Sequence, residues 1–447
     1  MNGEKCLDLR IKYPSFYYKS FKVEEDDDKY KLIFHFSIPE LKDFFPYLYI
    51  DKKGIVNNDI EYIEYLAFHI GLIELISYWK CTCSPKVVIE AGSLDDEQIK
   101  WFIKLYYYGL GEFFYRNGIN LTIDNFMTII SDGKEIARPT TNYSGEGNLI
   151  AVGGGKDSAV TLELLRGMNN TCFMINPKEP GIECIHIAGY KEYIKITRII
   201  DKNLLELNKE GYLNGHTPFS ALIAFVSYLC AYLTNRKYIV LSNEGSANEE
   251  TVIGTKINHQ YSKTYEFEKD FNDYANKYFG QEIKYFSLLR CLNEIQIGML
   301  FAQYSDYHHI FKSCNVGSKT IPWHWCCRCP KCLFVYIILS PFMERDKIIS
   351  IFGCDMYENE ELLPIFLELL GYEKAKPFEC VGTFNEVRYA VGLAIAKYDK
   401  LPYLLQYFKD NYHIEADVDY RVIFNDAHNI EPEFLEIIKG ELNRYVQ

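Results

Sequence analysis

The chain has 447 residues, 48% of them hydrophobic and 24% charged, and a formal net charge of -13 at pH 7. This length predicts about two or three domains with sizeable cores. The acidic balance argues against an extended nucleic-acid-binding surface, because such surfaces depend on Lys and Arg contacts to phosphates. The N-terminal residues lack the basic and apolar segments of a signal peptide. The most apolar run, residues 218–235, contains Ser, Tyr and Thr and is more typical of a buried helix than of a membrane span. We therefore expect a soluble, cytoplasmic protein without membrane or nucleic-acid partners.

The first predicted unit, residues 1–145, has the pattern of an α+β domain. Strands are predicted at YKLIFHFSI and KVVIEAG, which are short and rich in β-branched or aromatic residues. Long helices are predicted across residues 59–80 and 95–118, where apolar residues recur at helical spacing.

The second predicted unit, residues 146–340, alternates short apolar runs with helical patterns. The runs NLIAV, TCFMIN and KYIVLS predict strands, and DSAVTLELLRGM and the segment beginning near Pro218 predict helices. This alternation is typical of an α/β domain with a parallel sheet and crossover helices. Residues 341–447 contain short amphipathic patterns and are expected to form a helical C-terminal region.

A glycine-rich loop separates a predicted strand from a predicted helix in LIAVGGGKDSAVTLELL. Gly153, Gly154 and Gly155 follow the strand, and Asp157 or Ser158 can cap the helix. Unpaired backbone N–H groups and the positive end of the helix dipole meet at such a junction, and a phosphate satisfies both. We therefore interpret the loop as a phosphate-binding site, with a glycine-rich turn that holds no ligand as the alternative.

Three nucleotide-binding loops share this logic, and residue spacing separates them. The Walker form fails because Ile150 occupies its first Gly position and Asp157 follows Lys156. The dinucleotide form has Ser158 at its third Gly position, and the next strand, TCFMIN, ends in Asn instead of an acidic residue. The pattern S-G-G-x-D-S of the ATP pyrophosphatases matches GGGKDS except that Gly153 replaces the leading Ser. The region therefore resembles the PP-loop ATP pyrophosphatase superfamily, with its adenine nucleotide alpha hydrolase-like parallel sheet.

In that superfamily the loop holds the β and γ phosphates of ATP, while a substrate oxygen attacks the α phosphate to give an adenylate and pyrophosphate. The resemblance implies ATP and Mg²⁺ as cofactors. It implies that Lys156 neutralises phosphate charge and that Asp157 acts directly or through Mg²⁺. The residues expected to bind the cofactor are Gly153, Gly154, Gly155, Lys156, Asp157 and Ser158.

A cysteine cluster lies near the end of the second predicted unit. WHWCCRCPKC carries Cys326, Cys329 and Cys332 in the pattern C-x2-C-x2-C, and FKSCN adds Cys314. In a long chain without a secretion signal, such a cluster indicates metal ligation before disulfides. Four thiolates suit tetrahedral zinc and leave no position for water, so we predict a structural Zn²⁺ site. Cys327 is a further thiol that can substitute for a neighbour, and free thiols or an iron-sulfur cluster are the alternatives. The deazapurine nitrile synthases, which are pyrophosphatase relatives, carry a similar zinc site.

Polar residues follow the predicted strand KYIVLS, at a position where open α/β sheets bind ligands. Four of them come soon after the strand: Asn243, Glu244, Asn248 and Glu249. The candidate acids and bases, chosen by position and titratable character, are Glu244, His259, Tyr261 and Lys263. For each one alone, a solvated loop residue is the alternative.

Eight blocks together resemble a narrower family, the MurL-type ATP-dependent UDP-N-acetylmuramoyl-L-alanyl-L-glutamate epimerases. They are HIGLIELISYWK, YYGLGEFFYRNGI, GGGKDS, NGHTPFSALIAF, SNEGSANEET, NHQYSKTYEFE, FKSCN and WCCRCPKC. The resemblance covers residues from about 65 to 335, and Cys327 stands where the family is expected to have Gly. It implies a small-molecule UDP-linked dipeptide as substrate, inversion of its terminal L-Glu to D-Glu, and formation of AMP and pyrophosphate in peptidoglycan precursor synthesis.

The chemistry of such an epimerase fits an adenylating loop. The α-hydrogen of a glutamate is poorly acidic beside an ionised carboxylate, and an acyl adenylate removes that charge. A base then removes the proton, reprotonation on the opposite face inverts the centre, and water releases AMP. The alternatives are a nitrile- or amide-forming synthase of the same superfamily, a tRNA-modifying adenylating enzyme and a non-catalytic ATP-binding protein.

Overall fold

Among the described residues, eleven strands form one sheet. The computed structural model describes residues 2–248, 261–319, 322–373, 376–413 and 418–445. In chain order the strands are β1 (Ser15–Glu25), β2 (Lys29–Ile38), β3 (Lys42–Phe44), β4 (Tyr47–Asp51), β5 (Lys86–Ile89), β6 (Thr128–Ser131), β7 (Asn148–Ala151), β8 (Asn170–Ile175), β9 (Tyr193–Ile199), β10 (Tyr238–Leu241) and β11 (Lys284–Ser287).

Helices cover both faces of this sheet and make up most of the C-terminal region. In chain order they are α1 (Asn2–Lys12), α2 (Ile60–Glu74), α3 (Ile76–Trp79), α4 (Asp96–Gly109), α5 (Gly111–Asn117), α6 (Lys156–Leu164), α7 (Glu179–Ile187), α8 (Lys202–Lys209), α9 (Phe219–Leu233), α10 (Tyr265–Tyr278), α11 (Glu294–Gln303), α12 (Pro330–Leu339), α13 (Arg345–Phe352), α14 (Leu363–Leu369), α15 (Phe384–Lys397), α16 (Tyr403–Asn411) and α17 (Pro432–Leu442). The predicted helical C-terminal region is confirmed. In the described part of the chain, none of the helices combines the length and apolar character needed to cross a bilayer.

The strand order is β11-β10-β7-β8-β9-β4-β2-β1-β5-β6, and β3 pairs with β2. The five strands from β11 to β9 are mutually parallel, which confirms the parallel α/β arrangement predicted for this part of the chain. The chain runs outward from β7 through β8 to β9 and then returns to add β10 and β11 on the other side of β7. The topological switch point therefore lies between β7 and β10, where open α/β sheets bind ligands at their carboxyl edge.

Alternating residues of the central strands enter two different hydrophobic cores, as the two-residue period of a strand requires. Leu149 of β7 and Phe173 of β8 belong to the core that includes α2, α4, α9 and α10. Ile150 of β7 and Cys172 of β8 face the opposite core, which includes α6, α11, α12 and the C-terminal helices. A strand buried on both faces explains why NLIAV and TCFMIN are continuous apolar runs.

The sheet continues across the predicted boundary at residue 145. β4 pairs antiparallel with β9, so the strands of residues 1–145 extend the parallel sheet of the next unit. The N-terminal strands β4, β2 and β1 alternate in direction, and β5 and β6 then run parallel to β1. The domain limits 1–145, 146–340 and 341–447 remain predictions within this shared architecture.

Candidate active site

The glycine loop connects β7 to α6 at the switch point. Gly155 is the N-cap residue of α6 and has no side chain to offer the first-turn N–H groups. Gly154 has φ +89°, and a Cβ there would lie 2.5 Å from the backbone nitrogen of Gly181 at the start of α7. The backbone N–H of Gly153 donates to Ser158 Oγ at 2.9 Å. The loop is therefore closely packed at its centre and presents the unsatisfied backbone donors of a helix N-terminus.

A segment from far along the chain flanks this loop. The backbone N–H of Lys312 donates to the carbonyl of Gly154 at 3.0 Å. A Cβ on Gly155 would lie 3.6 Å from Ser313 Oγ, so the two residues before Cys314 line the loop. The sequence does not reveal this contact, because Lys312 and Ser313 are far from the glycine loop along the chain.

Lys156 turns away from solvent into a pair of carboxylates. Its Nζ lies 2.6 Å from Glu294 Oε2, and it also donates to the carboxylate of Asp157. Burial alone would lower the pKa of Lys156, but the carboxylates of Asp157 and Glu294 raise it above its usual value. Burial raises the pKa of Glu294 to about 8 against the opposing effect of Lys156. The Lys156 ammonium thus already compensates negative charge that the protein itself supplies.

Asp157 is the more accessible member of this group, with a side chain that is 28% exposed. Burial alone would raise the pKa of Asp157, but the ammonium groups of Lys156 and Lys331 overcome this effect and lower it. Asp157 is therefore held as a carboxylate at the edge of the glycine loop.

Further charged groups approach from other strand ends and from the C-terminal region. Glu244 follows β10 and is buried, and Lys263 ends a 3₁₀ turn at Tyr261–Lys263. The Lys263 Nζ lies 3.2 Å from Cys380 Sγ. Burial alone would lower the pKa of Lys263, but Cys380 and Glu244 raise it. Lys331, at the start of α12, donates to the backbone carbonyl of Cys380.

The structure thus brings together four predicted residues: Lys156, Asp157, Glu244 and Lys263. It adds four that sequence reasoning missed: Glu294, Lys331, Cys380 and Glu386. We call these eight residues the charged cluster. The added residues are far from the glycine loop in sequence, and no local motif marks them.

The other predicted acids and bases have different positions. The Tyr261 hydroxyl lies 3.2 Å from Asp270 Oδ2, and its ring packs against that of Tyr108 at 5.4 Å between centroids. Burial and the neighbouring Asp270 raise the pKa of Tyr261, which makes this phenol a poor base. His259 lies outside the described residues.

The remaining polar residues predicted after β10 are only partly described. Asn243 donates to Ser287 Oγ at 3.0 Å, which links the ends of β10 and β11. Glu249 and the side chain of Asn248 lie outside the described part of the chain.

The four predicted metal-binding cysteines come together. The sulfur atoms of Cys314, Cys326, Cys329 and Cys332 all lie within 4.8 Å of one another. The separations of individual pairs are 3.9 Å for Cys314 and Cys329, 3.8 Å for Cys326 and Cys332, and 3.4 Å for Cys329 and Cys332. Zn–S bonds of about 2.3 Å give tetrahedron edges of about 3.8 Å, so the group has the dimensions of a four-thiolate metal site.

Cys327 does not belong to this group. Its backbone has φ +54°, in the left-handed region that favours glycine. Its sulfur lies 3.2 Å from the carbonyl of Phe352 and is directed away from the other four. The departure from Gly at this position therefore affects the backbone of the loop and leaves the ligand set unchanged.

Two protein-family models match most of the chain. The model of the MurL N-terminal domain matches residues 9–288, and the model of the MurL C-terminal domain matches residues 310–416. The chain belongs to the MurL family. The charged cluster of this MurL-family protein draws on both matched regions, with Asp157, Glu244 and Lys263 in the first and Lys331 and Cys380 in the second.

Three curated relatives share one enzyme name. A protein from Xanthomonas oryzae pv. oryzae is 35% identical over 337 residues, which cover 73% of this chain and 74% of the relative. Proteins from Salinispora tropica and Micromonospora sp. are each 36% identical, over 332 and 324 residues that cover 72% and 71% of this chain and 72% of each relative. All three are named UDP-N-acetyl-alpha-D-muramoyl-L-alanyl-L-glutamate epimerase.

Proposed function

We propose that this protein is an ATP-dependent epimerase in peptidoglycan precursor synthesis. It inverts the α-carbon of the terminal L-Glu in UDP-N-acetylmuramoyl-L-alanyl-L-glutamate and forms AMP and pyrophosphate. The observation that carries the proposal is membership of the MurL family, together with the epimerase activity after which relatives that align over more than two thirds of the chain are named.

The glycine loop supports ATP as the co-substrate. In the proposal the phosphates of ATP lie against the backbone N–H groups of the loop and the first turn of α6, where the helix dipole favours negative charge. Residues Gly153 to Ser158 form this cradle, and the Asp157 carboxylate is exposed enough to hold Mg²⁺ with the phosphates. Bound Mg²⁺ supplies positive charge that stabilises the departing pyrophosphate.

Adenylation makes inversion possible because it converts the anionic carboxylate of the glutamate into a neutral acyl group. A carboxylate oxygen attacks the α phosphorus of ATP, and the bond to pyrophosphate breaks. The α-proton then becomes acidic enough for an enzyme base, and protonation of the opposite face inverts the centre. Water finally cleaves the acyl–phosphate bond, which restores the carboxylate and releases AMP. Glu244, His259 and Lys263 remain our proposed acids and bases by position, and Tyr261 is the weakest of the earlier candidates.

We assign a structural role to the metal site. The four cysteines fit zinc in number, chemistry and spacing, and four protein ligands leave no position for substrate. Because Lys312 and Ser313 line the glycine loop directly before Cys314, a metal at Cys314 holds this wall of the proposed ATP site. The zinc site in this proposal supports the loop and takes no part in the reaction.

The test is an incubation of purified protein with ATP, Mg²⁺ and UDP-N-acetylmuramoyl-L-alanyl-L-glutamate, followed by chiral analysis of glutamate after acid hydrolysis and by an AMP assay. D-Glutamate formed together with AMP is the expected result. AMP without inversion would contradict epimerisation and indicate another adenylating synthase. The absence of both D-glutamate and AMP would contradict both the adenylation and the epimerisation in the proposal.

A further inference from the structure

The segment before α15 brings a cysteine from the C-terminal region into the charged cluster. Cys380 is half-buried, and its sulfur lies 3.2 Å from the Nζ of Lys263. Its backbone carbonyl accepts a hydrogen bond from Lys331. The Cys380 thiol therefore lies beside the ammonium of Lys263, and the backbone carbonyl of the same residue binds the ammonium of Lys331.

Aromatic contacts hold this segment on the N-terminal part of the protein. The ring of Phe378 lies 5.2 Å from that of Tyr115 in α5, and the guanidinium of Arg116 lies 5.1 Å from the Phe378 centroid. Because Phe378 is two residues from Cys380, these contacts restrict where the thiol can lie. The position of Cys380 is thus fixed by the contacts of Phe378 and by the hydrogen bond from Lys331 to its own carbonyl.

The ammonium of Lys263 lies within hydrogen-bond distance of the Cys380 sulfur. An adjacent ammonium stabilises a thiolate and increases its capacity as a base or nucleophile at neutral pH. Cys172, Cys184 and Cys230 illustrate the opposite case, since burial raises the pKa of each of these thiols to about 12.

The four carboxylates of the charged cluster already have structural partners, and that of Glu244 accepts from Ser246 Oγ at 3.4 Å. Glu294 and Asp157 both accept from Lys156. Glu386 accepts from the backbone N–H groups of Glu294 and Thr383, and its side chain forms the capping box of α15. A carboxylate with such partners loses basicity and freedom to reach a substrate, and Cys380 supplies a base of a different chemical kind.

We propose that Cys380, as a thiolate stabilised by Lys263, is the base that removes the α-proton of the activated glutamate. This inference rests on the proposed epimerase function and adds a catalytic residue to it. The Cα–H bond breaks, an S–H bond forms on Cys380, and the electron pair of the Cα–H bond moves into the adjacent acyl group as an enolate. A second, solvent-exchangeable acid on the opposite face returns a proton to Cα. Lys263 stabilises the thiolate in this step, so it is a positioning residue here, and this role replaces the acid-base role assigned to it by position alone.

The test compares wild-type protein with Cys380→Ala and Cys380→Ser in D₂O, using ATP, Mg²⁺ and the UDP-linked dipeptide. AMP release, deuterium at the glutamate α-carbon and D-glutamate are measured in the same samples. Removal of a general base is expected to lower deuterium incorporation and inversion by about 100-fold or more, while AMP still forms as the adenylate hydrolyses. Cys354→Ala, which removes an exposed cysteine, serves as the matched control and should behave as wild type.

Two results would overturn the proposal for Cys380. The first is a ratio of D-glutamate to AMP in either variant that equals the wild-type ratio. The second is the loss of both AMP formation and deuterium incorporation in both variants, because a base that acts after adenylation should leave AMP formation intact. Failure of the wild-type protein itself to form AMP would instead reject the proposed function, so the two failures are distinct.

A second measurement uses the wild-type sequence and does not depend on the folding of Cys380 variants. Iodoacetamide should alkylate Cys380, as located by peptide mass spectrometry, and inversion should disappear while AMP release continues. Lys263→Met should slow alkylation of Cys380 about tenfold at neutral pH, since the thiolate loses its neighbouring cation. An unchanged alkylation rate in Lys263→Met, or full inversion by the alkylated enzyme, would contradict the proposed pair.

Discussion

The Nζ of Lys156 lies 2.6 Å from Oε2 of Glu294, and both side chains are 1% exposed. This pair joins the first turn of α6 to the first residue of α11, so it connects the glycine loop to the end of β11. A buried ion pair is costly to break from one side, because the remaining charge loses its partner in a poorly solvated environment. The contact between Lys156 and Glu294 therefore helps to fix the position of α6 relative to α11.

Glu294→Gln should change how stability depends on pH. The folded-state pKa of Glu294 is about 8, above the value of about 4.3 for an unfolded chain. The folded protein therefore holds this proton more tightly, and the contribution of Glu294 to stability falls as pH rises through that window. The expected slope is on the order of 1 kcal/mol per pH unit.

The measurement is the free energy of unfolding from urea titrations between pH 5 and pH 8, for wild type and Glu294→Gln. The variant should show a flatter dependence over this range. Glu361→Gln, at an exposed position on the surface, is the control and should follow the wild-type curve. Parallel curves for wild type and Glu294→Gln would show that Glu294 keeps an ordinary pKa.

Gly154→Ala should disrupt the loop more than an equivalent change elsewhere. The residue combines φ +89° with a Cβ position 2.5 Å from the backbone of Gly181, so alanine meets both backbone strain and a steric clash. Gly167→Ala is a matched control, since Gly167 has φ +84° and nothing lies within 4 Å of its Cβ position. The free energy of unfolding of Gly167→Ala should fall by about 1 kcal/mol, because a positive φ alone costs a non-glycine residue about this much.

The comparison needs urea unfolding and ATP binding by calorimetry for both variants. Gly154→Ala should be less stable than Gly167→Ala and should lose ATP binding, whereas Gly167→Ala should retain it. Equal ATP affinity in the two variants would remove the glycine loop from the proposed ATP site.

The local features of this site could be predicted from sequence, and its long-range contacts could not. The glycine loop, α6 and the four cysteines are each encoded within short segments. In the structure the loop leads into α6, and the four cysteine sulfur atoms come together, as predicted. Glu294 reaches Lys156, and Cys380 reaches Lys263, only through the packing of α11 and of the segment before α15. Their spacing in the chain carries no signal, because this proximity arises from tertiary packing alone.

The limits of helix and strand prediction have similar physical causes. The helix predicted over residues 59–80 is two helices that meet at Leu75, and the one over 95–118 is divided at Leu110. Apolar periodicity continues across both junctions, so it does not reveal the break. Strands β4 and β9 were not predicted. Their antiparallel pairing, which joins the two halves of the sheet, could not be predicted either, because the two strands are far apart in sequence.

Asp157→Ala should abolish AMP and pyrophosphate formation. The variant removes the partly exposed carboxylate of the loop and one of the two partners of Lys156, while Glu294 Oε2 remains 2.6 Å from that lysine and keeps it bound. The fold should therefore persist, as judged by circular dichroism and thermal unfolding. Asp8→Ala, an exposed position on α1, should keep wild-type turnover. Normal pyrophosphate release from Asp157→Ala would exclude this carboxylate from the reaction.

Cys329→Ser should release the metal. Elemental analysis of wild-type protein purified without chelator should give about one zinc per chain, as four-thiolate sites do. Cys329 lies within 3.9 Å of Cys314 Sγ and 3.4 Å of Cys332 Sγ, so serine removes a central ligand. Zinc content should fall well below that of wild type, and ATP affinity should fall with it, because Cys314 follows the residues that line the glycine loop. Cys354→Ser should retain the metal, and a metal-free yet stable and ATP-binding wild type would contradict the structural role.

Cys327→Gly should leave the metal bound and preserve or increase stability. The residue has φ +54°, where a side chain costs roughly 1–2 kcal/mol and glycine does not. The gain is offset in part by the flexibility of glycine in the unfolded chain and by loss of the sulfur contact to the Phe352 carbonyl, so the net change should be within about 1 kcal/mol. Cys327→Val is the contrasting variant and should be destabilising, because a β-branched residue is least tolerant of positive φ. Zinc analysis and urea unfolding of the two variants decide the point, and loss of zinc in Cys327→Gly would show that Cys327 is a ligand after all.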